Sequence, residues 1–219
     1  MTAPRGAPRV YLISDRRATN GRPLLDVIAR ALDGAGAHAT SVAVQLREKD
    51  LEARPLLDLA RALRASTAAR GARLFVNDRV DVALAAGADG VHLGGGALPA
   101  ADVVAIAPTL ELATSTHAVA EVLQHRATAA PSVMVSFVVF GPVYETPSKR
   151  AYGPPVGLAA LRDACATGLP VVAIGGVDAD RAPACRSAGA AGVAVIRAVL
   201  AADDPGRAMA RFFGAIEST

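Results

Sequence analysis

Eight short apolar runs, each followed by a stretch with helical periodicity, set the tightest limit on what this 219-residue chain can fold into. The strand candidates are residues 10–14, 41–47, 73–77, 90–93, 110–114, 133–140, 171–174 and 192–196. Residues 23–34, 51–70, 80–86, 99–107, 118–129, 156–166, 179–188 and 205–217 read as helices, several with Pro in the first turn or Gly just past the end. A parallel strand returns to its neighbour only through a crossover, and a helix supplies one. Eight strand–helix units therefore predict an α/β fold closed as a single (β/α)8 TIM barrel. The prediction is one domain over residues 1–219, with 1–9 as a flexible lead-in.

Composition supports this reading. Apolar residues make up 52% of the chain but aromatics only 4%, so the core must come from Val, Leu, Ile and Ala, which suit parallel strands covered on both faces. The rival is an open doubly wound sheet, whose dinucleotide signature GxGxxG would follow the first strand. That position holds Ser14-Asp15-Arg16-Arg17-Ala18 instead. The turns Gly87-Ala88-Asp89-Gly90 and Gly189-Ala190-Ala191-Gly192 share one helix-to-strand form, an internal echo of a repeating unit.

Several function classes drop out. The net charge of +3 is small, and the arginines are scattered through helical stretches, so no nucleic-acid partner is expected. Cys165 and Cys185 have neither zinc-like spacing nor a disulfide framework around them and read as packing thiols. No apolar run reaches the ~18 residues that span a bilayer, and the start lacks a hydrophobic leader, so no membrane partner and a cytoplasmic location are expected. The sequence leaves the oligomeric state open.

Chemistry in such a barrel is assembled at the C-terminal ends of the strands. The second strand ends Gln45-Leu46-Arg47-Glu48-Lys49. Strand alternation puts Gln45, Arg47 and Lys49 on one side, and two cations there suit a phosphate or diphosphate; a salt bridge to Glu48 or Asp50 is the alternative. After the third strand, Asn77 offers a donor, and Asp78 either ligates a hard cation or caps the next helix. The fourth ends His92-Leu93-Gly94-Gly95-Gly96, with His92 read as a core histidine. After the fifth, Ser115-Thr116-His117 supplies hydroxyls, which could equally serve as a helix cap, and an acid–base group. The one long connection, residues 141–155, carries Thr146, Ser148 and Lys149 and reads as a substrate clamp. Gly175 and Gly176, and the Ile196 region, end the seventh and eighth strands, where barrels often bind phosphate through backbone amides.

In order, Tyr11-Leu12-Ile13-Ser14-Asp15, Gln45 to Lys49, Asn77-Asp78, His92-Leu93-Gly94, Ser115-Thr116-His117, Gly141 to Lys149 and Ile174-Gly175-Gly176 resemble the thiamine phosphate synthase and thiazole tautomerase superfamily from about residue 10 to residue 200. The resemblance implies a transferase of thiamine biosynthesis that joins hydroxymethylpyrimidine diphosphate to thiazole phosphate, releasing pyrophosphate. It implies that Gln45 faces the pyrimidine and that Arg47, Lys49, Asn77, Ser115 and Lys149 hold the diphosphate. Arg47, Lys49, Lys149 and His117 would take the catalytic roles and Asp78 would bind magnesium. Thr146, Ser148, Gly175, Gly176 and Ile196 would hold the thiazole phosphate.

Two positions depart from the family pattern. Ala97 stands where a second carboxylate for magnesium is expected, leaving Asp102 or water to substitute, and Arg197 replaces a serine after the eighth strand, where it either binds substrate phosphate by charge or points into solvent. These departures keep two alternatives in view. One is a tautomerase-like enzyme in which His117 shuttles a proton; the other is a barrel that binds a thiamine-related metabolite without turnover.

Overall fold

The computed structural model describes residues 6–127, 135–146 and 154–217. Eight strands form a closed barrel in sequence order: β1 (Val10–Ile13), β2 (Val42–Leu46), β3 (Arg73–Asn77), β4 (Gly90–Leu93), β5 (Glu111–Thr116), β6 (Val135–Phe140), β7 (Val171–Ile174) and β8 (Gly192–Val195). Every pair is parallel, and β8 closes on β1 through Val10↔Val193 to Leu12↔Val195. The helices are α1 (Leu24–Ala35), α2 (Ala53–Ala68), α3 (Val80–Ala86), α4 (Ala100–Ile106), α5 (Val119–Ala127), α6 (Gly157–Ala166), α7 (Ala182–Ser187), α8 (Arg197–Leu200) and α9 (Pro205–Glu217). The single-barrel expectation holds. The four-residue α8 and two 3-10 turns, Arg16–Ala18 and Gly36–Ser41, are additions. No helix among the described residues is long and apolar enough to cross a membrane.

The strands are buried on both faces, and alternation divides them between two cores. Outward residues such as Leu12, Val44, Leu74, Val138 and Val193 pack against the helices. Inward residues Tyr11, Ile13, Ala43, Phe75, Ala113, Phe137, Val139, Val172 and Ala194 fill the barrel. Three of the chain's few aromatics meet there edge to face: Tyr11 and Phe137 at 5.3 Å, Phe75 and Phe137 at 5.4 Å, Tyr11 and Phe75 at 5.8 Å between centroids. Rings this close gain quadrupolar attraction beyond their buried area. Their bulk explains Gly90, because a Cβ there would lie 2.4 Å from Phe75 Cε1 and 2.5 Å from the Glu111 carbonyl oxygen.

Below the rings, Arg73 Nη1 donates to Glu111 Oε2 at 2.7 Å, and this pair forms the floor. Residues 8 and 9, read from sequence as part of the lead-in, belong to the base of the barrel. Pro8 is buried, the Arg9 amide donates to the Ser41 carbonyl at 2.9 Å, and the Val193 amide donates to the Arg9 carbonyl at 3.0 Å. Residues 8 and 9 are therefore held, because the bottoms of β2 and β8 present backbone groups that need partners.

Phe137→Ala should destabilise the protein by about 3–5 kcal/mol, since a ring is lost from a cavity that cannot collapse. Urea unfolding followed by far-UV circular dichroism measures it, with the midpoint falling at unchanged m-value.

Candidate active site

A cavity of about 590 Å3 opens at the C-terminal ends of the strands. It gathers Gln45, Arg47, Asn77, Ser115, His117, Thr146, Gly175, Gly176, Ile196 and Arg197 of the residues expected from sequence. A groove of about 630 Å3 lies outside the barrel along α2 and α3. Its size does not make it the site, since it lies away from the strand ends where polar groups converge.

The end of β2 departs from simple alternation. Gln45 is inward and buried, but the strand stops at Leu46 and the chain turns. Glu48 becomes the buried residue, and Arg47 and Lys49 are exposed. Ser14 Oγ donates to Glu48 Oε1 at 2.7 Å, and the Arg16 amide and guanidinium donate at 3.1 and 3.2 Å. The Arg47 amide in turn donates to Ser14 Oγ at 2.8 Å. Glu48 thus anchors the β1 and β2 ends to each other. Asp50 pairs with Arg16 and Arg17, so neither acid neutralises Arg47 or Lys49. Arg47 lines the cavity; Lys49 sits on the turn outside the lining set.

At β3 an amide chain runs across the mouth. Gln45 Nε2 donates to Asn77 Oδ1 at 3.0 Å, and Asn77 Nδ2 donates to Asp78 Oδ2 at 2.7 Å. Asp78 Oδ1 accepts from the Gly94 amide at 2.7 Å. Asp78 adopts a left-handed backbone, φ 58°, uncommon for a residue with a Cβ. It caps no helix: Arg79 takes the N-cap position of α3 without a side-chain bond, so the capping alternative fails. A Cβ at Gly94 would stand 3.3 Å from Asp78 Oδ1, crowding the carboxylate. Ala97 packs its methyl with the cluster of Val80, Val91 and Val103, and Asp102 is exposed in the first turn of α4.

β5 runs two residues beyond its expected end, which makes Ser115 an inward strand residue rather than a helix cap. His92 Nε2 lies 2.8 Å from Ser115 Oγ, and His92 Nδ1 lies 3.3 Å from the Tyr11 hydroxyl. Burial pushes the His92 imidazole down to about 4, with Asp78 opposing the shift and Arg47 adding to it. His117 turns the other way. Its Nδ1 is 2.6 Å from the Gly141 carbonyl oxygen, which can only accept, so Nδ1 carries a proton and donates it there.

The loop after β6 is docked by backbone bonds that extend the sheet: the Val143 amide to the Ile174 carbonyl at 2.7 Å and the Tyr144 amide to the Gly175 carbonyl at 3.0 Å. Side chains are excluded beneath it. A Cβ at Gly175 would meet Pro142 Cα at 2.5 Å, and one at Gly176 the Glu145 carbonyl oxygen at 2.7 Å. The Arg181 guanidinium lies over the Tyr144 ring at 4.9 Å. Ser148 and Lys149 lie outside the described residues.

Sequence reasoning missed the acidic members of the lining, Asp15, Glu145 and Asp178, and the Glu48 anchor. Asp15 was legible, since it lies just beyond β1. The others depend on where a turn points after its strand ends.

Comparison with known proteins places these residues in a family. A family model described as thiamine monophosphate synthase matches residues 10–199. The thiamine-phosphate synthase of Roseiflexus castenholzii is 45% identical over 92% of this chain and 85% of its own. That of Roseiflexus sp. strain RS-1 is 44% identical over 92% and 82%. The structure of thiamine phosphate pyrophosphorylase from Pyrococcus furiosus superposes with a TM-score of 0.84 at 33% identity, covering 96% of each chain.

The depressed His92 value has a stability consequence. As pH falls from the ordinary 6.5 toward about 4, the unfolded chain takes up this proton before the folded one does, so stability is lost through that window and retained above it. Denaturant unfolding at pH 7 and pH 5 should show a larger loss for wild type than for His92→Asn.

Proposed function

Because the chain belongs to the thiamine monophosphate synthase family, we propose that it is the transferase that joins hydroxymethylpyrimidine diphosphate to thiazole phosphate, forming thiamine phosphate and pyrophosphate. The observation that carries this reading in the structure is the convergence of Gln45, Arg47, Asn77 and Ser115 from β2, β3 and β5 on one cavity of about 590 Å3.

The chemistry asks for charge neutralisation. The bond between the pyrimidine methylene carbon and the diphosphate oxygen breaks, the electron pair leaves with the oxygen, and the thiazole nitrogen forms the new C–N bond. Arg47 and Ser115 donate to the departing diphosphate, which lowers the barrier most if they act where charge grows. Gln45, its amide nitrogen tied to Asn77, turns its carbonyl oxygen to the pyrimidine. Thr146, Arg197 and the backbone beside Gly175 and Gly176 hold the thiazole phosphate at the opposite wall. Lys49, Ser148 and Lys149 join this set by family resemblance.

Asp78 and the diphosphate oxygens would hold magnesium, which when bound adds positive charge beside the leaving group. What supports the fit is a carboxylate oriented by Asn77 and Gly94, next to a glycine whose missing Cβ leaves it open. A single carboxylate suits magnesium that takes its remaining ligands from water and phosphate. Ala97 and the exposed Asp102 add none in this arrangement.

One observation favours a second reading. His117 lines the cavity with Nδ1–H donating to Gly141, which leaves Nε2 of the neutral ring as the nitrogen that can take a proton, as a thiazole tautomerase would require.

Purified protein supplied with both substrates and magnesium should release thiamine phosphate, and removal of the metal should suppress it. Arg47→Ala should lower kcat/KM by about 10- to 100-fold, the worth of a hydrogen bond to a charged group. Turnover close to wild type in that variant would remove Arg47 from the diphosphate site. Proton exchange on the thiazole without synthase product would transfer the assignment to the tautomerase reading.

A further inference from the structure

Tyr11, His92 and Ser115 link the aromatic core of the barrel to its mouth. Tyr11 is fully buried and His92 is 2% exposed, while Ser115 lines the cavity. Tyr11 Oη lies 3.3 Å from His92 Nδ1, and Ser115 Oγ lies 2.8 Å from His92 Nε2. A neutral imidazole carries one N–H and one lone pair, so these contacts allow two arrangements.

If Nδ1 holds the proton, it faces the Tyr11 oxygen, and the phenol O–H must find a different acceptor. Among the described residues His92 is the partner of that hydroxyl, and an orphaned buried O–H forfeits its hydrogen bond to water with nothing in return. If Nε2 holds the proton, all three groups are satisfied in one direction. Tyr11 donates to Nδ1, Nε2–H donates to Ser115 Oγ, and the Ser115 hydrogen is left for an acceptor in the cavity. The doubly protonated imidazole, in which both nitrogens would donate, leaves the Tyr11 O–H without its acceptor in the same way.

We propose that Tyr11 and His92 are positioning residues that hold the Ser115 hydroxyl as a hydrogen-bond donor toward an anionic phosphate oxygen of the ligand. The inference deepens the functional reading above and rests on it for the ligand class, though not for the order of the three hydrogen bonds. The relay sits on β1, β4 and β5 at the height where the packed interior gives way to the cavity, so the core sets the polarity of one contact at the mouth. Ser115 then favours a ligand that presents an acceptor there.

Nitrogen-15 NMR of the histidine rings at neutral pH tests the relay without substrate. The His92 signals should report the Nε2–H tautomer, and an Nδ1–H tautomer would overturn the proposal. Calorimetric titration with inorganic pyrophosphate tests the consequence. Tyr11→Phe keeps the ring and should weaken pyrophosphate about tenfold by loosening one donor to a charged oxygen. The same substitution in a Ser115→Ala background should cause no further loss. Equal losses in both backgrounds, or none in either, would overturn the relay as a positioning device. Wild-type protein that binds no pyrophosphate and makes no thiamine phosphate would overturn the functional reading instead, and the tautomer would then decide for or against the relay by itself.

Discussion

The inside of an eight-stranded parallel barrel is filled by stacked layers of side chains, and how those layers are filled governs everything above them. Here three edge-to-face rings, Tyr11, Phe75 and Phe137, occupy the middle, over a floor made by Arg73 and Glu111. The rings are large for a chain otherwise built of Val, Leu and Ala, and β4 accommodates them by having glycine at its inward position. Because the interior is packed with buried side chains to this height, polar side chains one layer higher lie at a boundary between apolar walls and an open cavity. Fixed dipoles and charges act most strongly in such a place.

The mouth has two kinds of wall. On the side of β1 to β5, side-chain hydrogen bonds run in chains: Glu48 through Ser14 to the Arg47 amide, Gln45 through Asn77 and Asp78 to Gly94, and Tyr11 through His92 to Ser115. Each chain ties a cavity-facing group to residues on another strand, so its orientation is set before any ligand arrives. On the side of β6 to β8 the wall is largely backbone, with glycines permitting the loop after β6 to lie directly on the end of β7. Side-chain donors on one side and close-approaching backbone on the other suit a site that must hold two different phosphorylated molecules facing each other.

Much of this architecture was legible in the residues. The pattern of apolar runs located all eight strands, three of them to the residue, because a strand covered on both faces must be apolar almost throughout. The candidate site followed from the rule that barrel chemistry sits at strand ends, and most of the expected residues line one cavity. Sequence pattern and structure part where a strand stops. Extending alternation past Leu46 places Lys49 beside Gln45, whereas the turn buries Glu48 against the end of β1, where it accepts from Ser14 and Arg16. Ending β5 at residue 114 left Ser115 as a possible cap, whereas two further residues pair with β6.

By itself, then, the sequence determined the class of fold, the number of strands, the layer in which chemistry must lie and the family to which that chemistry belongs, since periodicity and local motifs depend on neighbours along the chain. Only the tertiary structure decided which way each polar group points: Glu48 into the wall, Asp78 toward Gly94, His117 toward Gly141, and His92 between a buried phenol and a hydroxyl that lines the cavity. The direction of a hydrogen bond depends on which partners are buried without an alternative. That is a property of packing between residues far apart in the chain, 81 positions for Tyr11 and His92, and no local pattern encodes it.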